Sequence, residues 1–187
     1  VIYRASSEFC LSNRDSSRHE ELFIFVEDEE AKELVRRILS DFGKETLERV
    51  GIYPVGPNDV VDQLGKLGAH RKLPYNSISI ADGDKSTHYS LTLPTQDAPE
   101  KRVVNDVRDN GVDYFAQRLN MSESDAFTLI DDALSITRHH EWTEYIAERV
   151  NEETKFVWSI LCDTWVKRCL DREEAKSFLH NIRAHLS

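Results

Sequence analysis

The chain of 187 residues has 31% charged and 40% apolar side chains with 7 Gly and 5 Pro, a globular composition that excludes a collagen-like or wholly disordered polymer. Its 24 Lys+Arg against 34 Asp+Glu leave a net charge of −10, so attraction to nucleic acid is not written into the whole surface, and a phosphate-handling site would need metal ions to offset that charge. No apolar run approaches the roughly 18 residues of a membrane helix, so no association with a membrane is expected; three cysteines (Cys10, Cys162, Cys169) without a CxxC make a reducing, cytoplasmic compartment the expectation.

In chain order, residues 1–20 hold a possible strand (Val1–Arg4, Phe9–Leu11) and then a polar stretch from Ser12 to Glu20 that reads as a linker. The apolar run Leu22-Phe23-Ile24-Phe25-Val26 is the pattern of a strand buried on both faces. After the acidic cluster Glu27-Asp28-Glu29-Glu30, the residues Leu34, Val35, Ile38 and Leu39 share one helix face, which closes at Phe42-Gly43. Val50 to Val55 reads as a second strand, with Pro54 at its end. Gly56-Pro57-Asn58-Asp59 then starts a helix whose apolar stripe is Val60, Val61, Leu64 and Leu67. Ser77-Ile78-Ser79-Ile80-Ala81 is a third strand ending at Asp82-Gly83-Asp84, and His88 to Leu93 suits a fourth.

Beyond about Ala98 the signals are helical: Lys101–Asn110, Asp113–Leu119, Glu123–Thr137, His140–Val150, Glu153–Leu170 and Glu173–Leu186. Ser122-Glu123-Ser124-Asp125 has the form of an N-terminal cap. Phe156, Val157, Ile160, Leu161, Trp165 and Leu170 form a core-facing stripe, and Cys162 and Cys169 read as small buried residues. The expected fold is therefore α/β, a mostly parallel sheet flanked by helices with a helical C-terminal region. The division is 1–20 lead-in, 21–97 α/β core and 98–187 helical region.

In parallel sheets ligands sit beyond the carboxyl ends of the strands, and two of the three strand ends carry acids: Glu27 after the first, Asp82 and Asp84 after the third. Carboxylates converging there suit a hard divalent cation, since magnesium takes oxygen ligands and is typically held by one or two carboxylates plus substrate phosphates. Gly83 lets its two neighbours approach one point without a bulky side chain between them. Acids this close would raise each other's pKa unless a cation neutralised them.

Leu22 to Asp28, the second strand reaching Pro54-Val55-Gly56, and Ser79-Ile80-Ala81-Asp82-Gly83-Asp84 together resemble a TOPRIM domain, which has a glutamate after its first strand and a DxD after its third. The added segment Leu93-Pro94 … Ala98-Pro99-Glu100 and the helical second half are similar to the OLD (overcoming lysogenization defect) nucleases, among them bacterial anti-phage effectors. The resemblance covers about Leu22 to Glu100. Two positions depart from it: Asp28 stands where the family commonly has Gly, and Ala31 where OLD nucleases often have a second acid.

The resemblance implies a metal-dependent DNA endonuclease in which one or two Mg2+ (or Mn2+) ions are held by Glu27, Asp82 and Asp84, with Glu100 as a further ligand. It also implies a catalytic lysine, for which Lys155 is the first choice and Lys176 the second. An ATPase domain ahead of the nuclease is expected too, with DNA as substrate and oligomerisation through that domain; this chain itself has no GxxxxGK[ST]. DNA would be met by local basic pairs flanking the acids: Arg36-Arg37, Arg71-Lys72 and Lys101-Arg102. His139-His140-Glu141-Trp142 also stands out; adjacent histidines on a helix point about 100° apart, a poor chelate together, although one could face the metal site. Two other functions compete: a non-catalytic TOPRIM-like interaction module, and a response-regulator receiver, which would need a lone Asp after the third strand and further βα units.

Overall fold

The structure, a computed structural model, describes residues 20–85 and 87–186. The expected strand at Val1–Arg4 and Phe9–Leu11, and nearly all of the linker, lie outside the described residues. Four strands, β1 (Leu22–Val26), β2 (Val50–Pro54), β3 (Ser77–Ala81) and β4 (Leu91–Thr92), form one sheet in the order β2-β1-β3-β4, every neighbouring pair parallel. Helices α1 (Glu29–Phe42), α2 (Lys44–Leu47) and α3 (Asn58–Ala69) connect the first three strands. After β4 come α4 (Pro99–Asn110), α5 (Val112–Leu119), α6 (Glu123–Leu134), a 3-10 turn at His139–Glu141, α7 (Trp142–Val150), α8 (Thr154–Arg168) and α9 (Arg172–Arg183). The protein is α/β with a helical C-terminal region.

All five residues of β1 are buried, as its unbroken apolar run requires of a strand between two others. Side chains alternate across a strand. Leu22, Ile24 and Val26 therefore join the main core, whereas Phe23 and Phe25 pack with Tyr53, Leu64, Leu73 and Tyr75 on the other face. The main core continues without a break from β1 through α1 into the C-terminal helices, where Phe115, Ile130, Ile146, Leu161 and Trp165 are buried. Helix α8 runs through its centre against α1, α4, α5 and α7. The helical half completes the sheet's core.

Local chemistry sets the helix limits. Asp28 caps α1 by accepting a hydrogen bond from the Ala31 N–H at 2.8 Å, and Gly43 ends that helix. The expected Ser122 cap is present, its hydroxyl accepting from Asp125 N. Four details differ from the pattern reading. A short helix, α2, lies between Gly43 and β2. The fourth strand shrinks to two residues. Leu67 is 37% exposed because the buried face of α3 is instead Val61 and Gly65, with Gly65 pressed against Tyr89, Ser90 and Ser79. Phe156 is 45% exposed: it sits in the first turn of α8 and lines an open groove rather than the core. No helix among the described residues is long and apolar enough to cross a membrane.

Candidate functional site

Strands β1 and β3 are hydrogen-bonded neighbours, with Phe25 paired to Ser79. Carrying that register forward sets Glu27 beside Ala81, one residue before Asp82. The chain reverses after β2 at Gly56, whose φ of +103 suits glycine; its N–H donates to the Glu27 carbonyl at 3.0 Å and holds the end of β1. Gly83 is required for a different reason. A Cβ there would lie 2.3 Å from Thr95 Oγ1 and 2.6 Å from the backbone N of Gln96, so only glycine lets the Asp82-Gly83-Asp84 turn press against the loop after β4. That loop is braced by Thr95 Oγ1 donating to the Asp97 carbonyl and by Asp97 Oδ1 capping Ala98 N–H. It delivers Pro99 and the buried Glu100 in the first turn of α4. Two strand ends and the start of α4 thus supply the acids near this rim of the sheet.

Burial and neighbouring charge perturb Asp82 and Glu27. Burial, followed by the charges of Asp28, Glu27, Glu100 and Asp84, pushes the Asp82 carboxyl up to about 7. Glu27 is raised by desolvation and by Asp28, Asp84 and Glu100, against the pull of Lys85. Asp28 and Glu30 are raised too, by desolvation first and with Glu100 contributing to each. Glu27 Oε2 and Asp82 Oδ1 are buried and have no hydrogen-bond partner among the described residues. Two unpaired buried carboxylate oxygens in a field of like charge are a costly arrangement without a cation. The donor set, all carboxylate oxygen, fits a hard dication such as magnesium.

The acids do not, however, close into one tight shell. Among the described residues, the one group of three ligating side chains whose donor atoms all lie within 4.8 Å of one another is Glu100, His139 and His140. Glu27, Asp82 and Asp84 do not meet that mutual distance, as expected of like charges with nothing between them. Both histidines lie in the 3-10 turn rather than in the regular helix expected from His140 onward. The two rings come to 3.8 Å between centroids, and His140 Nδ1 is 2.8 Å from Glu100 Oε1. His139 is held below its ordinary pKa by burial and by the neighbouring His140.

The lysines separate. Lys85, unmarked by any motif, is the cation beside the acids: its Nζ lies 3.1 Å from Asp84 Oδ2, and its charge lowers Glu27. Lys155 stands in the first turn of α8 on a groove of about 320 Å3 that it shares with Glu29, Glu30, Lys32 and Phe156, and no contact joins it to Glu27, Asp82 or Asp84 among the described residues. Lys176 pairs with Glu173 on exposed α9.

Of the basic pairs, Lys101-Arg102 follows Glu100 directly, with Arg102 bonded to Asp106 at 2.5 Å. Arg36 and Arg37 are engaged by Glu33, and Arg37 also by Asp163. Arg71-Lys72 does not flank the acids. It lies between α3 and β3, at the amino end of the sheet, because a chain entering a parallel strand does so opposite the carboxyl rim. Ala31 is 1% exposed in the main core, so an acid at that position would be buried among apolar side chains. No protein-family model, curated protein or solved structure matches this chain.

Proposed function

We propose that the chain is a divalent-metal-dependent nuclease domain of the OLD type, hydrolysing phosphodiester bonds in DNA with Glu27, Asp82 and Asp84 as metal-holding acids. The observation that carries this reading is the pair of buried, partnerless oxygens, Glu27 Oε2 and Asp82 Oδ1, on adjacent parallel strands, with Asp82 pushed up to about 7. Magnesium or manganese at these acids, one ion or two, would supply Lewis-acid stabilisation of phosphodiester oxygens and a lowered pKa for attacking water. The side chains have separable tasks. Glu27 and Asp82 would offer carboxylate oxygens from just beyond rigid strand ends, where the register cannot slip without moving the whole of β1 or β3. Asp84, paired to Lys85, sits on the outer side of the turn, and Lys85 offers an ammonium to a phosphate. Lys155 is the second candidate for that task, from the neighbouring groove. Glu100 adds a further carboxylate from the start of α4.

One observation favours a second reading, a non-catalytic interaction module: the three acids do not close to the mutual distance that Glu100 and the histidines reach. No further βα unit follows β4 among the described residues, which leaves little support for a receiver. Plasmid cleavage separates nuclease from module. Supercoiled DNA incubated with the protein and Mn2+ or Mg2+ is expected to become nicked or linear, with the product lost in EDTA and in Glu27→Ala and Asp82→Ala. Equal cleavage by wild type and both variants, or none under any divalent ion, overturns the nuclease reading.

A further inference from the structure

We propose that Glu100, His139 and His140 form a binding site for a single borderline transition-metal ion, Zn2+ in the first instance, distinct in donor chemistry from the all-oxygen rim beside it. The site is assembled from two places 39 positions apart in the chain. Pro99 starts α4 and fixes Glu100 in its first turn, 8% exposed and unable to swing into solvent. The histidine turn is held by Glu141 N–H donating to the Arg138 carbonyl at 3.0 Å and by Trp142 Nε1–H donating to the Ile136 carbonyl at 2.7 Å. Both halves of the site are therefore positioned before any ion arrives.

The donor atoms are close enough for small side-chain movements to bring them onto one ion. Two ligands about 2.1 Å from an ion, at tetrahedral or octahedral angles, lie roughly 3.0–3.4 Å apart. Glu100 Oε1 and His140 Nδ1 are at 2.8 Å, a hydrogen bond that an incoming ion would replace, and a His139 nitrogen lies within 4.8 Å of both. The two rings are tilted by 43° to one another. Two imidazoles and one carboxylate select zinc, cobalt or nickel over magnesium, which prefers oxygen. With three protein ligands, coordination positions stay open, and the His140 side chain, 71% exposed, gives the ion a path in from solvent. The surroundings favour a dication as well: Glu27, Asp28 and Asp82 are each raised in part by the charge of Glu100.

This proposal stands whether or not the rim cleaves DNA, and its test reads metal directly. Metal-free full chain is titrated with Zn2+ by calorimetry and against a chromophoric chelator, in excess Mg2+ to occupy the oxygen rim. One zinc equivalent is expected that Mg2+ does not displace. His139→Ala, His140→Ala and Glu100→Gln should each weaken it at least about tenfold, while His180→Ala, at an exposed histidine of α9, should leave it unchanged. Because His140 lies at the surface, its variant keeps the fold, which circular dichroism checks. A Glu27→Gln, Asp82→Asn double variant should still bind zinc even with cleavage gone. The proposal is overturned if wild type takes up no stoichiometric zinc, if the histidine variants bind as wild type does, or if zinc is lost only in the double variant.

Discussion

Replacing Asp82 by Asn is the sharpest probe of the acidic rim, because it removes one charge and little volume. In the folded protein Asp82 holds its proton up to about 7, against 3.8 ordinarily, with burial the first cause and four neighbouring carboxylates the rest. A raised folded pKa means that the folded state binds the proton more tightly than the unfolded one. Stability from this group is therefore highest in acid, falls as pH rises from about 4 to about 7, and stays low above that. The full difference corresponds to at most about 4 kcal/mol; partial solvent access and shared titration with Glu27 and Asp28 bring the expected effect to about 2 kcal/mol. At pH 8 without metal, Asp82→Asn should thus raise Tm by roughly 4–8 °C, and at about pH 3, where the carboxyl is mostly neutral in the unfolded chain as well as in the folded one, by almost nothing. Thermal unfolding followed by circular dichroism in EDTA across that pH range measures this. Added Mn2+ should lift the wild type at pH 8 and the Asn variant far less. Identical curves for the two proteins at pH 8 would refute the claim that Asp82 is a desolvated, mutually repelled carboxylate.

Gly83→Ala should cost about 2 kcal/mol in urea unfolding and weaken Mn2+ binding, since the new methyl would meet the Gln96 backbone, which cannot swing aside. Asp163, 5% exposed, receives Lys167 at 3.0 Å, Arg118 at 3.3 Å, Arg37 at 3.6 Å and the Tyr114 hydroxyl at 3.0 Å. Burial pushes its pKa up, but the hydrogen bonds from Lys167 and Tyr114 and the nearby cations win and hold it below the ordinary value. Asp163→Ala should therefore cost about 3 kcal/mol at pH 7, with the gap to wild type closing as pH falls below about 4. Lys85→Met should reduce plasmid cleavage by more than about tenfold, the loss of one charge-assisted contact to a phosphate; unchanged cleavage there with loss in Lys155→Met would move the catalytic cation to the α8 groove.

Much of the frame was legible along the chain because it rests on periodicity. Leu22–Val26 is apolar at every position, which only a strand covered on both faces tolerates, and the spacing of Leu34, Val35, Ile38 and Leu39 turns one helix face inward. The acids at the ends of β1 and β3 were legible for the same reason: a parallel sheet puts successive carboxyl ends on one rim. Phe156 and Leu67 misled, since periodicity tells which residues share a face and not whether another element covers that face. Arg71-Lys72 misled because nearness to a motif in sequence is not nearness in a sheet whose connections run from one end to the other.

What the order of residues determined by itself is the α/β frame and the placing of Glu27 and Asp82 at the carboxyl ends of neighbouring strands, both consequences of local pattern and strand direction. Only tertiary structure decided that Gly83 must lack a side chain and that Glu100 meets His139 and His140. Each of these depends on where a loop or turn docks, and docking is governed by side chains distant in the chain. Hydrophobic spacing carries information over one or two turns of backbone, whereas a site closed across 39 residues is specified by the packing between its two halves.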